Sequence, residues 1–194
     1  MKINKILFFA FIIFIVGCVK APTTGSLQFS IVDDIGNPAA NATVFLYNTE
    51  NDFFNNKNLI SSQVSDNNGV TIFSNLNPQT YYYFISRSSD CANNDFTPHT
   101  TLNSVSAGTT ITENATINET GQLNFNNVSA DPYKIYINGN YWGTVDGKSS
   151  ATTDELVGNY SVEVRQASGF VNTPTIEDFN PTVKVCSTGN VNFP

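Results

Sequence analysis

His99 is the only histidine in the 194-residue chain, and it limits the catalytic chemistry on offer. A multi-histidine metal site is excluded. A Ser–His or Cys–His nucleophile needs a positioned partner and a third, orienting group. Thr97-Pro98-His99-Thr100 carries neither, so His99 reads as an exposed loop residue. The adjacent acids are Asp33-Asp34, Asp154-Glu155 and Glu177-Asp178. Glycoside hydrolysis needs two carboxylates facing each other across a sugar, whereas neighbours on a strand point to opposite faces. These acids therefore read as solvated turn and strand-end groups. Asp66-Asn67-Asn68-Gly69 has some oxygens of a calcium loop but lacks the distant bidentate glutamate of an EF-hand, and Asp90 and Asp95 would add only loop oxygens. The expectation is no enzyme, no metal and no cofactor.

Aromatic residues are the better candidates for binding. Tyr141-Trp142 follows an Asn-Gly turn, Phe53-Phe54 lies in a polar stretch, and Tyr81-Tyr82-Tyr83 must put some rings outside. Exposed rings stack on sugars or anchor a protein partner. Tyr141, Trp142 and Phe53 are the candidate ligand platform. The competing reading has the same rings covering sandwich ends or a contact between domains.

The elements that would position these groups are strands. The chain is rich in Asn, Thr, Ser, Tyr and Phe and shows no helical periodicity after its apolar start. β-branched and aromatic residues suit a pleated, half-buried surface, and Asn and Gly suit turns. Ser26–Asp33 alternates, with Leu27, Phe29 and Ile31 on one side. Strands are expected also over 42–47, 59–65, 70–73, 80–86, 100–106 and 109–117. In the second half they are expected over 133–137, 140–145, 160–166, 181–186 and 190–193. Asp66–Gly69 and Asn138-Gly139 carry the residues of tight hairpin turns.

The N-terminus has its own logic. Lys2 and Lys5 precede eleven apolar residues, Ile6 to Val16. At about 1.5 Å per residue that run reaches roughly half of a ~30 Å hydrocarbon core, too short for a stable span. The charge order and length are those of a secretory leader. Ile15-Val16-Gly17-Cys18 resembles the bacterial lipobox. The resemblance implies cleavage of residues 1–17 and lipidation of Cys18, with 18–24 as a tether. Lys2 and Lys5 leave with the leader, so seven bases face sixteen acids, a balance of about −9. That sign disfavours nucleic acid and anionic lipid heads, leaving the lipid as the membrane attachment. The expected location is the outer membrane of a bacterial envelope. Val19-Lys20-Ala21-Pro22 lacks the acids that follow the cysteine in some Bacteroidetes-like surface lipoproteins, which favours the periplasmic face.

With Cys18 committed to lipid, Cys91 and Cys186 remain, in different halves of an exported chain. An oxidising compartment lets them pair and tie the halves together. The alternative is two free thiols held apart.

Two resemblances organise the strands. Val32-Asp33, Gly36-x-Pro38, Ala42-x-Val44-x-Leu46-Tyr47, Ser65-Asp66-x-x-Gly69 and Phe73-x-x-Leu76-x-Pro78-x-x-Tyr81 follow one another in order. They resemble the carboxypeptidase regulatory-like domain and its Cna-B and transthyretin-like relatives over residues 25–119. Tyr133-Lys-Ile-Tyr-Ile137-Asn-Gly, Gly143-Thr-Val145 and Leu156-x-Gly158-x-Tyr160-x-Val162-x-Val164 are similar to the PEGA-type β-domain over 120–194. Thr120–Phe125 also echoes Thr24–Phe29, an internal repeat. Together they imply an all-β protein of two small antiparallel β-sandwich domains, serving as a non-catalytic structural or protein-binding module. A carbohydrate-binding accessory lipoprotein is the alternative.

Overall fold

The computed structural model describes residues 21–194; the segment expected to be a leader and Cys18 lie outside the described residues. The strands of the first half are β1 (Gly25–Val32), β2 (Thr43–Tyr47), β3 (Ser61–Val64), β4 (Val70–Leu76), β5 (Tyr82–Arg87), β6 (Ala92–Asn93) and β7 (Thr110–Thr116). Those of the second are β8 (Asn118–Asn127), β9 (Tyr133–Ile137), β10 (Asn140–Val145), β11 (Ser150–Leu156), β12 (Gly158–Asn159), β13 (Val162–Gln166), β14 (Ile176–Phe179), β15 (Thr182–Val183) and β16 (Thr188–Phe193). The protein is all-β, and each half is a sandwich of two sheets. In the first, β4-β1-β7 faces β3-β2-β5-β6; in the second, β11-β8-β16 faces β10-β9-β13-β14. The strand order is the same in both once the β12–β15 ribbon is set aside, which is the internal repeat at the level of topology. The repeat extends to detail. Tyr81 donates its hydroxyl to the carbonyl of Asn77, and Tyr160 does the same to Leu156, each four residues back.

Period-2 alternation builds both cores. Leu27, Phe29 and Ile31 of β1 meet Val44, Leu46, Tyr83 and Ile85 from the facing sheet, all buried. Leu123 and Phe125 of β8 meet Ile135, Val162 and Val164, with Val191 and Phe193 from β16. Phe29 lies edge-on to Phe73 and Tyr83, with ring centroids 5.9 and 4.9 Å away.

Several details differ from the sequence expectations. β1–β7 and β8–β16 are parallel ladders within otherwise antiparallel sheets, because the last strand of each unit returns beside its first. Asp66–Gly69 is a tight turn, with Gly69 at φ +73°, but it passes the chain from one sheet to the other and does not join paired strands. A Cβ on Gly69 would lie 2.2 Å from the carbonyl oxygen of Ile31, so the turn depends on glycine for space as well as conformation. Residues 100–106 form no strand of their own; Thr101 and Val105 instead donate to the carbonyls of Tyr81 and Gln79. Of 181–186 only Thr182–Val183 is strand. One short helix, α1 (Glu50–Phe54), stands where a polar loop was expected. Thr49 caps it, accepting from the Asp52 amide at 3.1 Å and donating to the Asp52 carboxylate at 2.7 Å. Five residues are too few to leave a periodicity in the sequence.

Burial raises the ionisation of Tyr83 far above its ordinary value, and the charge of Glu113 adds to the effect. The folded state holds this phenol neutral, whereas the unfolded chain ionises near pH 10, so stability falls as pH rises past about 10. The expected slope is about 1.4 kcal/mol per pH unit for each such group. Urea midpoints measured from pH 9 to 12 check this, and Tyr83→Phe should flatten the decline; an unchanged slope would assign it elsewhere.

Candidate functional site

The outer face of the β2–β5 sheet carries aromatic side chains where alternation would ordinarily place polar ones. Val44 and Leu46 point into the core, so Phe45 and Tyr47 point out; Tyr83 and Ile85 point in, so Tyr82 and Phe84 point out. The ladder pairs Phe45 with Phe84 and Tyr47 with Tyr82. The Phe45 and Phe84 rings stack at 6.3 Å with an interplanar angle of 27°. Helix α1 then lays Phe53 against this face and carries the exposed Phe54 beside it. Phe53 meets Tyr47 edge-on at 5.8 Å and Phe54 at 5.2 Å. The Tyr47 hydroxyl donates to Asn56 Oδ1 at 2.7 Å, tying the segment after the helix to the strand.

His99 completes one side. Its ring lies 4.8 Å from that of Phe53, and its Nδ1 is 3.4 Å from the side-chain Nδ2 of Asn94. It is half-buried and stacked, not the freely exposed loop residue expected from sequence. The resulting groove, about 500 Å³, is lined by Phe45, Tyr47, Phe53, Phe54 and Phe84 with Asn56, Ser86, Asp95 and His99. Partial withdrawal from water raises the Asp95 carboxyl above its ordinary value, an effect His99 partly opposes.

Of the three rings nominated from sequence, only Phe53 lines this groove. Trp142 and Tyr141 lie on β10 in the other unit, on opposite sides of the strand. The β9–β10 register shifts between Tyr141 and Gly143, so Trp142 is the extra residue of a bulge. It packs on the second core, its ring 5.1 Å from that of Phe125. Tyr141 is 57 % exposed, edge-on to Tyr136, with its hydroxyl 2.9 Å from that of Thr144. The three do not form one platform. Trp142→Ala is expected to cost about 2–3 kcal/mol and Tyr141→Ala less than about 0.5, readable as urea midpoints. Equal losses would refute this division.

Phe45, Tyr47 and Phe84 escaped the sequence reading, although a signal was present. ATVFLY and TYYYFIS are apolar at both odd and even positions, the pattern of a strand covered on both faces. The cover is α1.

The second feature of note is the junction. One residue, Ile117, separates β7 from β8, and β8 belongs to both units. Its first residues pair with β6, Glu119 with Ala92 and Asn118 with Asn93, before it enters the ladders to β11 and β16. Cys91 and Cys186 are disulfide-bonded across this point, their Cα atoms 5.3 Å apart. Thr120 donates its hydroxyl to the Cys91 carbonyl at 2.6 Å and accepts from the Cys186 amide at 3.0 Å.

Three of the acids weighed for chemistry hold turns or a pair. Asp66 Oδ1 accepts from the amides of Asn68 and Val70, Asp33 from those of Ile35 and Asn37, and Asp90 is paired with Arg87 at 2.5 Å.

No family profile matches the chain, and no curated protein matches it. It is similar to solved structures at low identity. One is the Bacillus anthracis TIE protein, 17 % identical, TM-score 0.38, over 88 % of this chain and 34 % of that one. Another is GBS52, the minor pilin of Streptococcus agalactiae, 13 % identical, TM-score 0.36, over 87 % and 94 %. A third is the shaft pilin spaA of Lactobacillus rhamnosus GG, 10 % identical, TM-score 0.33, over 89 % and 98 %. The chain spans about a third of the first of these.

Proposed function

We propose that this protein is a non-catalytic module of a bacterial envelope, anchored through lipid on Cys18 and built as a short, stiff post that holds its faces at a fixed attitude to a protein partner. The junction carries this reading. A linker between independent domains would be polar and several residues long, whereas here a single buried residue, a shared strand and a disulfide span the boundary. The lipobox resemblance supports the anchor, and Asp33, Asp66, Asp90 and His99 are engaged in turns, a pair and stacking.

Spin labels at Ser62 and Thr144, on β3 and β10, test the stiffness in the full chain. Pulsed dipolar spectroscopy should give one narrow distance distribution, broadening on reduction; a broad distribution in the oxidised protein would refute the post. Palmitate labelling should disappear in Cys18→Ala, and label that persists would overturn the anchor. Capture of a glycan is the competing reading, but the rings first nominated for it, Tyr141, Trp142 and Phe53, occupy three separate settings.

A further inference from the structure

We propose that the groove between α1 and the outer face of β2–β5 binds a small soluble organic cation, an alkylammonium head enclosed by aromatic rings with Asp95 as counter-charge. This is a site distinct from the post itself.

Ring orientation decides between a cage and a platform. A pyranose stacks on a flat surface, which needs coplanar rings. Here Phe45 and Phe84 are near parallel at 27°, but Phe53 stands at 83° to Tyr47 and 67° to Phe54. Rings therefore border the groove in several planes. Their quadrupoles make each face electronegative, which favours a cation within about 6 Å of a centroid. At about 500 Å³ the space suits a small molecule.

The polar lining agrees in sign. Asp95 has no cation within ion-pairing distance among the described residues, where the two ion pairs are Arg87–Asp90 and Arg165–Glu163. Asn56 Oδ1 already accepts from Tyr47, and His99 is held between Phe53 and Asn94. The Ser86 hydroxyl, Asn56 Nδ2 and His99 Nε2 also have no hydrogen-bond partner among the described residues, and the one acid of the lining is Asp95, a carboxylate on a partly desolvated wall. It is well matched to a positive ligand and poorly matched to an anion. The chain's net charge of −7 acts in the same direction at long range.

The test is a ligand-observed NMR titration of the full chain in detergent. The probes are choline, its uncharged carbon isostere 3,3-dimethylbutanol, and maltotriose. Choline should bind saturably, and the isostere at least about tenfold more weakly. Asp95→Asn, a change at an exposed position, should weaken choline about tenfold with the melting temperature unmoved. Phe84→Ala should do likewise through loss of a ring. Equal binding of the isostere would reduce the groove to an apolar pocket, and saturable maltotriose without choline would make it a glycan site. Either result, or an absence of saturable choline binding, overturns the proposal while leaving the stiff-post reading to its own distance measurement.

Discussion

Serine at both Cys91 and Cys186 is expected to lower the unfolding free energy by about 4 kcal/mol and the melting temperature by roughly 8–16 °C. The disulfide closes a loop with a sequence separation of 95, and in the chain-entropy account the loss on opening grows with the logarithm of that length. The remaining ties across the boundary are few. They are the two residue pairs of β6 with β8, the Thr120 bond to Cys91, and the Glu119–Val157 bond. Each such bond contributes about 1 kcal/mol net, so together they rival the bridge without replacing it. Calorimetry should therefore show one transition in the oxidised protein and two in the variant, because the two buried clusters share no member. A shift equivalent to less than about 1 kcal/mol would mean that the shared strand alone couples the halves.

Gly121→Ala is expected to cost about 2–3 kcal/mol by overpacking, more than its single methyl suggests. Gly121 lies where β8 crosses the junction, and a Cβ there would stand 2.2 Å from the Lys184 carbonyl oxygen and 2.8 Å from that of Ser187. Both contacts are backbone, so no rotamer change relieves them. The chain around Cys186 must retreat, straining the Cys186–Thr120 and Gln122–Ser187 hydrogen bonds. Gly143→Ala is the control, since nothing lies within 4 Å of its added methyl. Guanidinium midpoints at constant slope measure both; equal values for the two variants would refute the close approach.

Much of this architecture was legible locally. Leu27, Phe29 and Ile31, like Val162 and Val164, declare a buried face by alternation alone, because a strand's side chains switch faces at every residue. Asn138-Gly139 announced its hairpin, and the structure has both residues at positive φ, 49° and 80°. The echo of Thr24–Phe29 in Thr120–Phe125 foretold two units of one topology. What escaped was non-local. The parallel return of β7 and β16 to the first strand of each unit depends on which edge is free when the chain comes back, and no residue pattern encodes that. The fate of Trp142 turned on a one-residue bulge that sends it inward while Tyr141 stays out.

The sequence by itself determined the all-β character, the faces of the central strands and the turns that demand glycine or asparagine, since each follows from the sterics of a few neighbouring residues. Only the tertiary structure decided that Phe45, Phe53 and Phe84 share one groove with Asp95 and His99, and that Cys91 meets Cys186 beside a strand common to both units. Those meetings join residues tens of positions apart, and their distances are set by how whole sheets pack, which no local preference specifies.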